Sequence, residues 1–464
     1  MPEYNLVSKR RSFFLVVLLA TGYFYIGYCC TVFNPLAQPV LIRVFDYDEN
    51  TEKSKIDHIV GRINALFAAG AIFGGFVIGL FAQRVGRKKL LYTAEIISIA
   101  NCLLYLIKSM PSLILARFIS GIVSGMVPIG SIIITELFPN WMSGVGNAIC
   151  YIMNTFGILA GLVTHSVLSE NDIVEYWREI LIFPIVISTI RLAFLPLFLR
   201  TDTPRYEYER SISDDEAYDR IRNIYSNLIE QHQINQATFD VLKTYKKQPS
   251  LSSTLVGMLT TRVDKLKLIS GCFLSFAQQM SGISFFFFYS TRIFDDINGS
   301  GKSVTLIIGI TNVLGGFVAT YLIGSFGRKV NFLSGTVLQG LSLLILLTGI
   351  SISSYLVLFI SAVTYMLAYS IGLGGSFIAY LCETLPPIGI AISLTIQWTL
   401  IAFVGYFSID LDDLLGESPI LGFFAVANFF LFIGLAKWTI ETKGKSENQI
   451  NDKFRGKLRI FDFS

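Results

Sequence analysis

Charge is scarce in this chain, and so are the residues that build catalytic or metal centres. Of 464 residues only 15% are Asp, Glu, Lys or Arg, against 53% hydrophobic and 14% aromatic. Soluble domains carry about 25% charged residues, so an ordinary water-soluble fold is excluded. The three histidines, His58, His165 and His232, lie far apart. That scatter leaves no ligand cluster for a metal and no nucleophile–base pair, so neither an enzyme nor a cofactor is expected. The six cysteines (29, 30, 102, 150, 272 and 382) all fall in or beside apolar runs. They have neither metal-ligand spacing nor the loop positions of a disulfide framework, and read as small packing residues.

What the chain has in abundance is long apolar runs. A membrane-crossing helix needs about 20 largely apolar residues, and twelve such runs are present: roughly 12–34, 63–83, 89–108, 111–134, 144–168, 177–199, 266–290, 302–325, 330–352, 354–382, 388–410 and 418–439. The first is too long for a cleaved signal peptide and reads as a span. The expected fold is an all-α membrane protein with twelve transmembrane helices in two pseudo-symmetric six-helix bundles, 12–200 and 266–440. A tail (1–11), a linker (201–265) and a second tail (441–464) complete it. Lys and Arg concentrate in the two tails, the 2–3 and 8–9 loops and the linker. By the positive-inside rule those segments, with both termini, are expected on the cytoplasmic side. The net charge of +4 then reflects topology and requires no nucleic-acid partner.

Three landmarks occur twice, in the same order and at near-constant separation. Val85-Gly86-Arg87-Lys88 recurs as Phe326-Gly327-Arg328-Lys329, and Glu136-Leu137-Phe138-Pro139 as Glu383-Thr384-Leu385-Pro386. Asp202-Thr203-Pro204-Arg205 recurs more loosely as Glu441-Thr442-Lys443-Gly444. A duplicated membrane unit of this kind builds one central site between two halves that rock against each other, the architecture of a carrier. The arginines match carboxylates at neighbouring helix ends. Arg84, Arg87, Asp202, Arg205 and Glu136, with Arg328, Glu383 and Glu441, are therefore candidates for a conformation-dependent ion-pair lattice.

Within the linker, Ser213-Asp214-Asp215-Glu216 opens a pattern with Ile221, Ile224, Tyr225 and Ile229 on one face. A serine cap before an acidic first turn predicts an amphipathic helix. Asn298-Gly299-Ser300-Gly301-Lys302-Ser303 imitates a phosphate-binding loop, but Asp296 stands where its leading glycine belongs. Nucleotide binding is rejected. The same stretch holds a glycosylation triplet at Asn298.

Gly79-Leu80-Phe81-Ala82-Gln83-Arg84-Val85-Gly86-Arg87-Lys88 resembles the 2–3 loop signature of the major facilitator superfamily. Further motifs are similar to those of its sugar porters: Arg117-Phe118-Ile119-Ser120-Gly121, Trp177-Arg178, Gln278-Gln279-Met280-Ser281-Gly282-Ile283, Tyr289-Ser290-Thr291, Gln397-Trp398 and Glu441-Thr442-Lys443-Gly444-Lys445. The resemblance covers roughly residues 15–450. It implies facilitative transport of a hexose or related polyol by alternating access, in a multi-pass protein of the plasma membrane, with the sugar and the lipid bilayer as partners. Oligomeric state stays open.

The resemblance places substrate-binding positions at Gln278, Gln279, Ser284, Tyr289, Asn312, Gln397, Trp398 and Tyr151. An amide offers the donor and acceptor that a sugar hydroxyl needs, and an indole suits the apolar face of a pyranose. Departures are as informative. Tyr151 stands where the family has glutamine, Ser284 where it has asparagine, Ile378 where it has tryptophan and Ser370 where it has an acid. Proton-driven members carry an acid after a Gly-Tyr pair in span 1, whereas Gly27-Tyr28 is followed by Cys29, which favours uniport. Glu95 and Arg191 lie within spans and are expected to pair; alternatively Arg191 faces the cavity and attracts an anion. Two readings stand beside the hexose uniporter: a carrier of another, possibly anionic, organic solute, and a non-transporting sugar sensor.

Overall fold

The computed structural model describes residues 5–45, 53–244, 251–287 and 301–461. Tyr289 and residues 298–300 lie outside them, while Gly301–Ser303 open a helix. Among the described residues regular structure is helical throughout, apart from an isolated bridge pairing Leu6 with Ile229.

Among the described residues eleven helices are long and apolar enough to cross a bilayer: α1 (Lys9–Thr31), α2 (His58–Val85), α3 (Arg87–Leu106), α4 (Met110–Leu137), α5 (Met142–Thr164), α6 (Asn171–Phe198), α8 (Ser303–Ser325), α9 (Arg328–Ser351), α10 (Tyr355–Thr384), α11 (Pro387–Phe407) and α12 (Glu417–Trp438). The remaining member, α7 (Arg262–Met280), opens with Asp264, Lys265 and Lys267 in its first turns. It breaks at Ser281–Gly282 and resumes over 283–287. The six helices before the linker and the six after it form the two bundles.

Close packing within the first bundle depends on small residues. Gly70 and Gly74 of α2 meet Gly121 and Gly125 of α4, and a Cβ on Gly70 or Gly121 would sit 2.1 or 2.0 Å from the facing carbonyl. Two such four-residue glycine spacings, face to face, bring helix backbones into contact, which compensates for the weak hydrophobic drive inside lipid.

Four helices are interrupted at corresponding places in the two halves, and α6 is broken as well, at Phe183. α1 hands over at Val32 to a short helix, Phe33–Arg43. α4 bends at Val127–Pro128, α7 at Ser281–Gly282, and α10 through a π-helical turn, Ser370–Gly374. At membrane depth a broken helix must have its freed carbonyls recaptured. The Ser281 carbonyl accepts from Tyr365 Oη and Asn428 Nδ2, each at 3.1 Å. The Leu373 carbonyl accepts from Gln278 Nε2 at 3.3 Å.

Two seams join the bundles. In one, Gly79 of α2 faces Ala391 and Ile388 of α11; in the other, Gly309 and Gly316 of α8 face Leu159, Leu162 and Ile152 of α5. The linker forms helices Pro204–Arg210, Asp214–Ser226 and Ile234–Thr244. Ser213 caps the second of these, accepting from Glu216 N at 3.2 Å, and Ala217, Ile221, Ile224 and Tyr225 are its buried face. These helices lie at the end of the molecule that carries both Gly-Arg-Lys turns, the signature end below; the opposite one is the far end.

Candidate functional site

Between the bundles lies a cavity of about 600 Å³, reaching from Gln38 and Ile173 near the far end to Gln278 and Asn312 at mid-depth. All seven described substrate candidates line it: Gln278, Gln279 and Ser284 from the α7 region, Asn312 from α8, Gln397 and Trp398 from α11, and Tyr151 from α5. The eighth, Tyr289, lies outside the described residues.

Their polar groups are already partly engaged. Gln278 Oε1 accepts from Gln397 Nε2 while its amino group holds the Leu373 carbonyl, so this side chain also ties α7, α10 and α11 together. Ser284 Oγ donates to Gln279 Oε1 at 2.6 Å. Asn312 Oδ1 accepts from Tyr151 Oη and from Ser370 Oγ, each at 2.9 Å. The amino groups of Gln279 and Asn312 remain open to the cavity. Trp398 is held edge-on by Phe67 of α2, with ring centroids 6.0 Å apart.

Charge is almost absent from this wall. Its one charged side chain among the described residues is Arg117 of α4, and no carboxylate joins it. Arg117 is buried between the rings of Phe33 and Phe67, 4.8 and 4.6 Å from their centroids. Nη1 donates to the Cys29 carbonyl at 2.8 Å, and Nε has no partner. Sequence reasoning gave Arg117 no site role, and it noted Ser370 only as a departure. The glycines at 372, 374 and 375 were the available sign that α10 is irregular there.

At the signature end the two repeats build the same device with different trimmings. Gly86 adopts φ +101° and Gly327 φ +96°, a region open to glycine. Each turn presents the first amides of the next helix to a carboxylate. Asp202 Oδ2 accepts from Lys88 N at 3.1 Å. Glu441 accepts from Arg328 N and Lys329 N, both at 3.0 Å. An acid on a helix N-terminus is favoured by the dipole and by the unpaired amides. Burial pushes the Asp202 carboxyl above its usual range, opposed by the amides of Thr203 and Lys88 and then by Arg87.

Arg87 grips Glu136 through two hydrogen bonds of 3.1 Å and meets Glu209 at 3.3 Å. Glu136 also accepts from Thr203 Oγ1 at 2.6 Å and has Arg205 at 4.0 Å. The second repeat has a single such pair, Arg328–Glu383 at 2.6 Å, with Arg328 Nε and Glu383 Oε2 unpartnered. These pairs close within each bundle. Across the bundles, an Arg328 nitrogen lies 3.0 Å from where a Cβ on Gly144 of α5 would stand. The Arg84 side chain is exposed and outside the lattice; its carbonyl accepts from Tyr206 Oη at 3.5 Å. A second cavity, about 400 Å³, lies among Glu136, Arg205, Arg328 and Glu383.

Glu95 and Arg191 pair at 2.5 Å inside the first bundle, each 3% exposed. Gly22 of α1 leaves room for the guanidinium. Arg191 is not among the residues of the central cavity, so the alternative of a cavity-facing Arg191 does not hold.

Two helical bundles around one central cavity at membrane depth define a multi-pass membrane carrier of the major facilitator architecture. The chain belongs to the sugar (and other) transporter family, whose pattern it matches over residues 15–454. It is 25% identical to the probable plastidic glucose transporter 3 of Arabidopsis thaliana, over 96% of this chain and 88% of that protein. It is 28% identical to the solute carrier family 2, facilitated glucose transporter member 2 of Gallus gallus, over 85% and 75%. Its fold matches the proton:xylose symporter XylE bound to 6-bromo-6-deoxy-D-glucose, with TM-score 0.80 and 20% identity over 96% of this chain and 99% of that one. It is a transporter and not an enzyme.

Proposed function

We propose that this chain is a uniporter that moves a hexose or related polyol down its gradient by alternating access. One observation carries the reading: the largely apolar wall of the cavity between the bundles carries a cluster of amides and an indole, with no carboxylate among its described residues. Amides serve sugar hydroxyls as donors and acceptors, and the indole gives the ring's C–H face an apolar surface. A coupled symporter needs a group that takes up and releases a proton in the pathway; here Cys29 replaces the acid of the proton-driven pattern.

The signature end faces the cytoplasm in this reading, with both termini, because it gathers the basic loops. The lattice of Arg87, Glu136, Asp202 and Arg205, with Arg328, Glu383 and Glu441, would hold that end closed while the far end is open to the outside. The plasma membrane is the proposed location. Arg117 sustains a second reading, in which the solute carries a carboxylate.

The test is uptake into proteoliposomes of labelled hexoses, inositol, a hexuronate and other organic anions, with and without a pH gradient. Saturable hexose or polyol uptake, indifferent to the gradient, is expected. Acceleration by an inward proton gradient would overturn uniport, and uptake confined to anions would replace the substrate.

A further inference from the structure

We propose that Tyr151 stands in for the substrate in the empty carrier: its phenol occupies the Asn312 carbonyl, a sugar hydroxyl must displace it, and the displacement releases one bundle from the other. This rests on the sugar-carrier reading and assigns Tyr151 a different task from that of an ordinary sugar ligand.

The geometry points to a latch. Tyr151 belongs to α5 of the first bundle and Asn312 to α8 of the second, and their 2.9 Å hydrogen bond crosses the cavity between them. Two glycines make room for the ring. A Cβ on Gly374 would lie 2.4 Å from the phenol oxygen, and one on Gly316 would lie 3.6 Å from the ring. Gly374 closes the π-helical turn of α10, and single turns of this kind inside α-helices gather at functional sites.

The bonding explains why occupancy and unlatching are linked. A carbonyl oxygen has two acceptor sites; on Asn312 Tyr151 donates to one, and Ser370 Oγ, which divides its single proton between Asn312 and the Met366 carbonyl at 2.9 Å each, stands at the other. Ser370 is wholly buried and does not line the cavity, whereas Tyr151 does. A hydroxyl arriving from the cavity therefore meets Tyr151, the exchangeable donor. Binding through the Asn312 carbonyl then costs a bond between the bundles, and the substrate contributes the replacement within the second bundle alone.

The experiment compares the unaltered protein with Tyr151→Phe, which keeps the ring and removes the donor, and with Gly374→Ala, which pushes the phenol off its acceptor. Affinity for the transported sugar is read by equilibrium binding. The latch is read without ligand, from the distance between spin labels on cysteines placed at Ile107 and Ile352, in a background lacking the native cysteines. Both of these positions are exposed, at the far ends of opposite bundles. Both variants should bind sugar about five-fold tighter, the worth of one net hydrogen bond that no longer competes. Both should broaden or shift the empty carrier's distance distribution. Weaker or unchanged affinity, or an unchanged distribution, overturns the proposal. If the unaltered protein binds no sugar, the sugar reading falls, and the distance measurement still decides the latch.

Discussion

Glu95 and Arg191 pose the clearest energetic question at the level of single residues. Both are buried at membrane depth, where a charge survives only with a partner. Removing one partner strands the other, at a cost of roughly 3–5 kcal/mol. Glu95→Arg or Arg191→Glu alone should therefore sharply lower the yield of folded protein, and the charge-swapped double variant should recover it. No recovery would mean that the two residues do not act as a pair. Residue types alone were enough to flag this pair, because an ion in an apolar run demands an explanation. Gln278, Gln279, Asn312 and Trp398 were singled out by the resemblance to sugar porters, as polar or amphipathic groups in otherwise apolar helices. What neither revealed is how those groups are spent. Tyr151 and Asn312 are 161 positions apart, and no local pattern signals that one fills the acceptor of the other. Arg117 went unassigned for the same reason: its phenylalanine sandwich is contributed by two other helices.

Helices were legible by length and apolarity, their interruptions much less so. The α7 segment was placed as an apolar run, 266–290, although four charges in the first turns of the helix, Arg262, Asp264, Lys265 and Lys267, keep it below the apolarity of its neighbours. The breaks in α1, α4, α7 and α10 leave only faint traces, a proline in α4 and glycines in α7 and α10, because a carbonyl freed in one helix is recaptured by a side chain from another. The C-terminal helix, Glu447–Phe461, offers a test at this scale. It packs Ile450 and Phe454 against Ile440, with Val263 and Leu266 of α7 alongside. Lys457 Nζ donates to the carbonyls of Lys437 and Thr439 at 2.6 and 2.7 Å. Partial burial, then repulsion from Lys329, pushes the Lys457 ammonium from 10.5 down to about 8. The docked helix thus releases that proton more readily than the free one does. Docking should strengthen as pH rises from about 8 toward 10.5 and stay flat below. A spin label at exposed Arg455 should lose mobility over that window, and Lys457→Met should weaken the trend to the part left by Lys453, whose ammonium group burial also pushes down, and by Lys329. A flat response in the unaltered protein would show that Lys457 is not the controlling group.

For the whole molecule, the duplicated landmarks carried the architecture. Each Gly-Arg-Lys turn precedes a helix whose first amides are taken by an acid, Asp202 in one half and Glu441 in the other. The asymmetry between the halves was half visible. Gly324 and Ser325 stand where the first repeat has Gln83 and Arg84, but the structure places Arg84 outside the lattice. The richer network of the first repeat comes instead from Glu209, Thr203 and Arg205 converging on Arg87 and Glu136. That network stays within one bundle. It therefore sets the shape of the signature end, while contact between bundles rests on the two glycine-lined seams and on mid-depth contacts such as Tyr151–Asn312. In the proposed alternating-access cycle, rocking about such seams would expose the central cavity to either side in turn.

The central claim, that amides of the second bundle recognise a hydroxylated solute in this cavity, is tested most directly by replacing Gln278 and Gln279 together with leucine. Uptake should be measured in proteoliposomes after the variant is shown to insert and to melt as a single folded species. At least a ten-fold loss of carbohydrate flux is expected, since two or more polar contacts of about 1 kcal/mol each disappear. Flux equal to that of the unaltered protein would contradict the account.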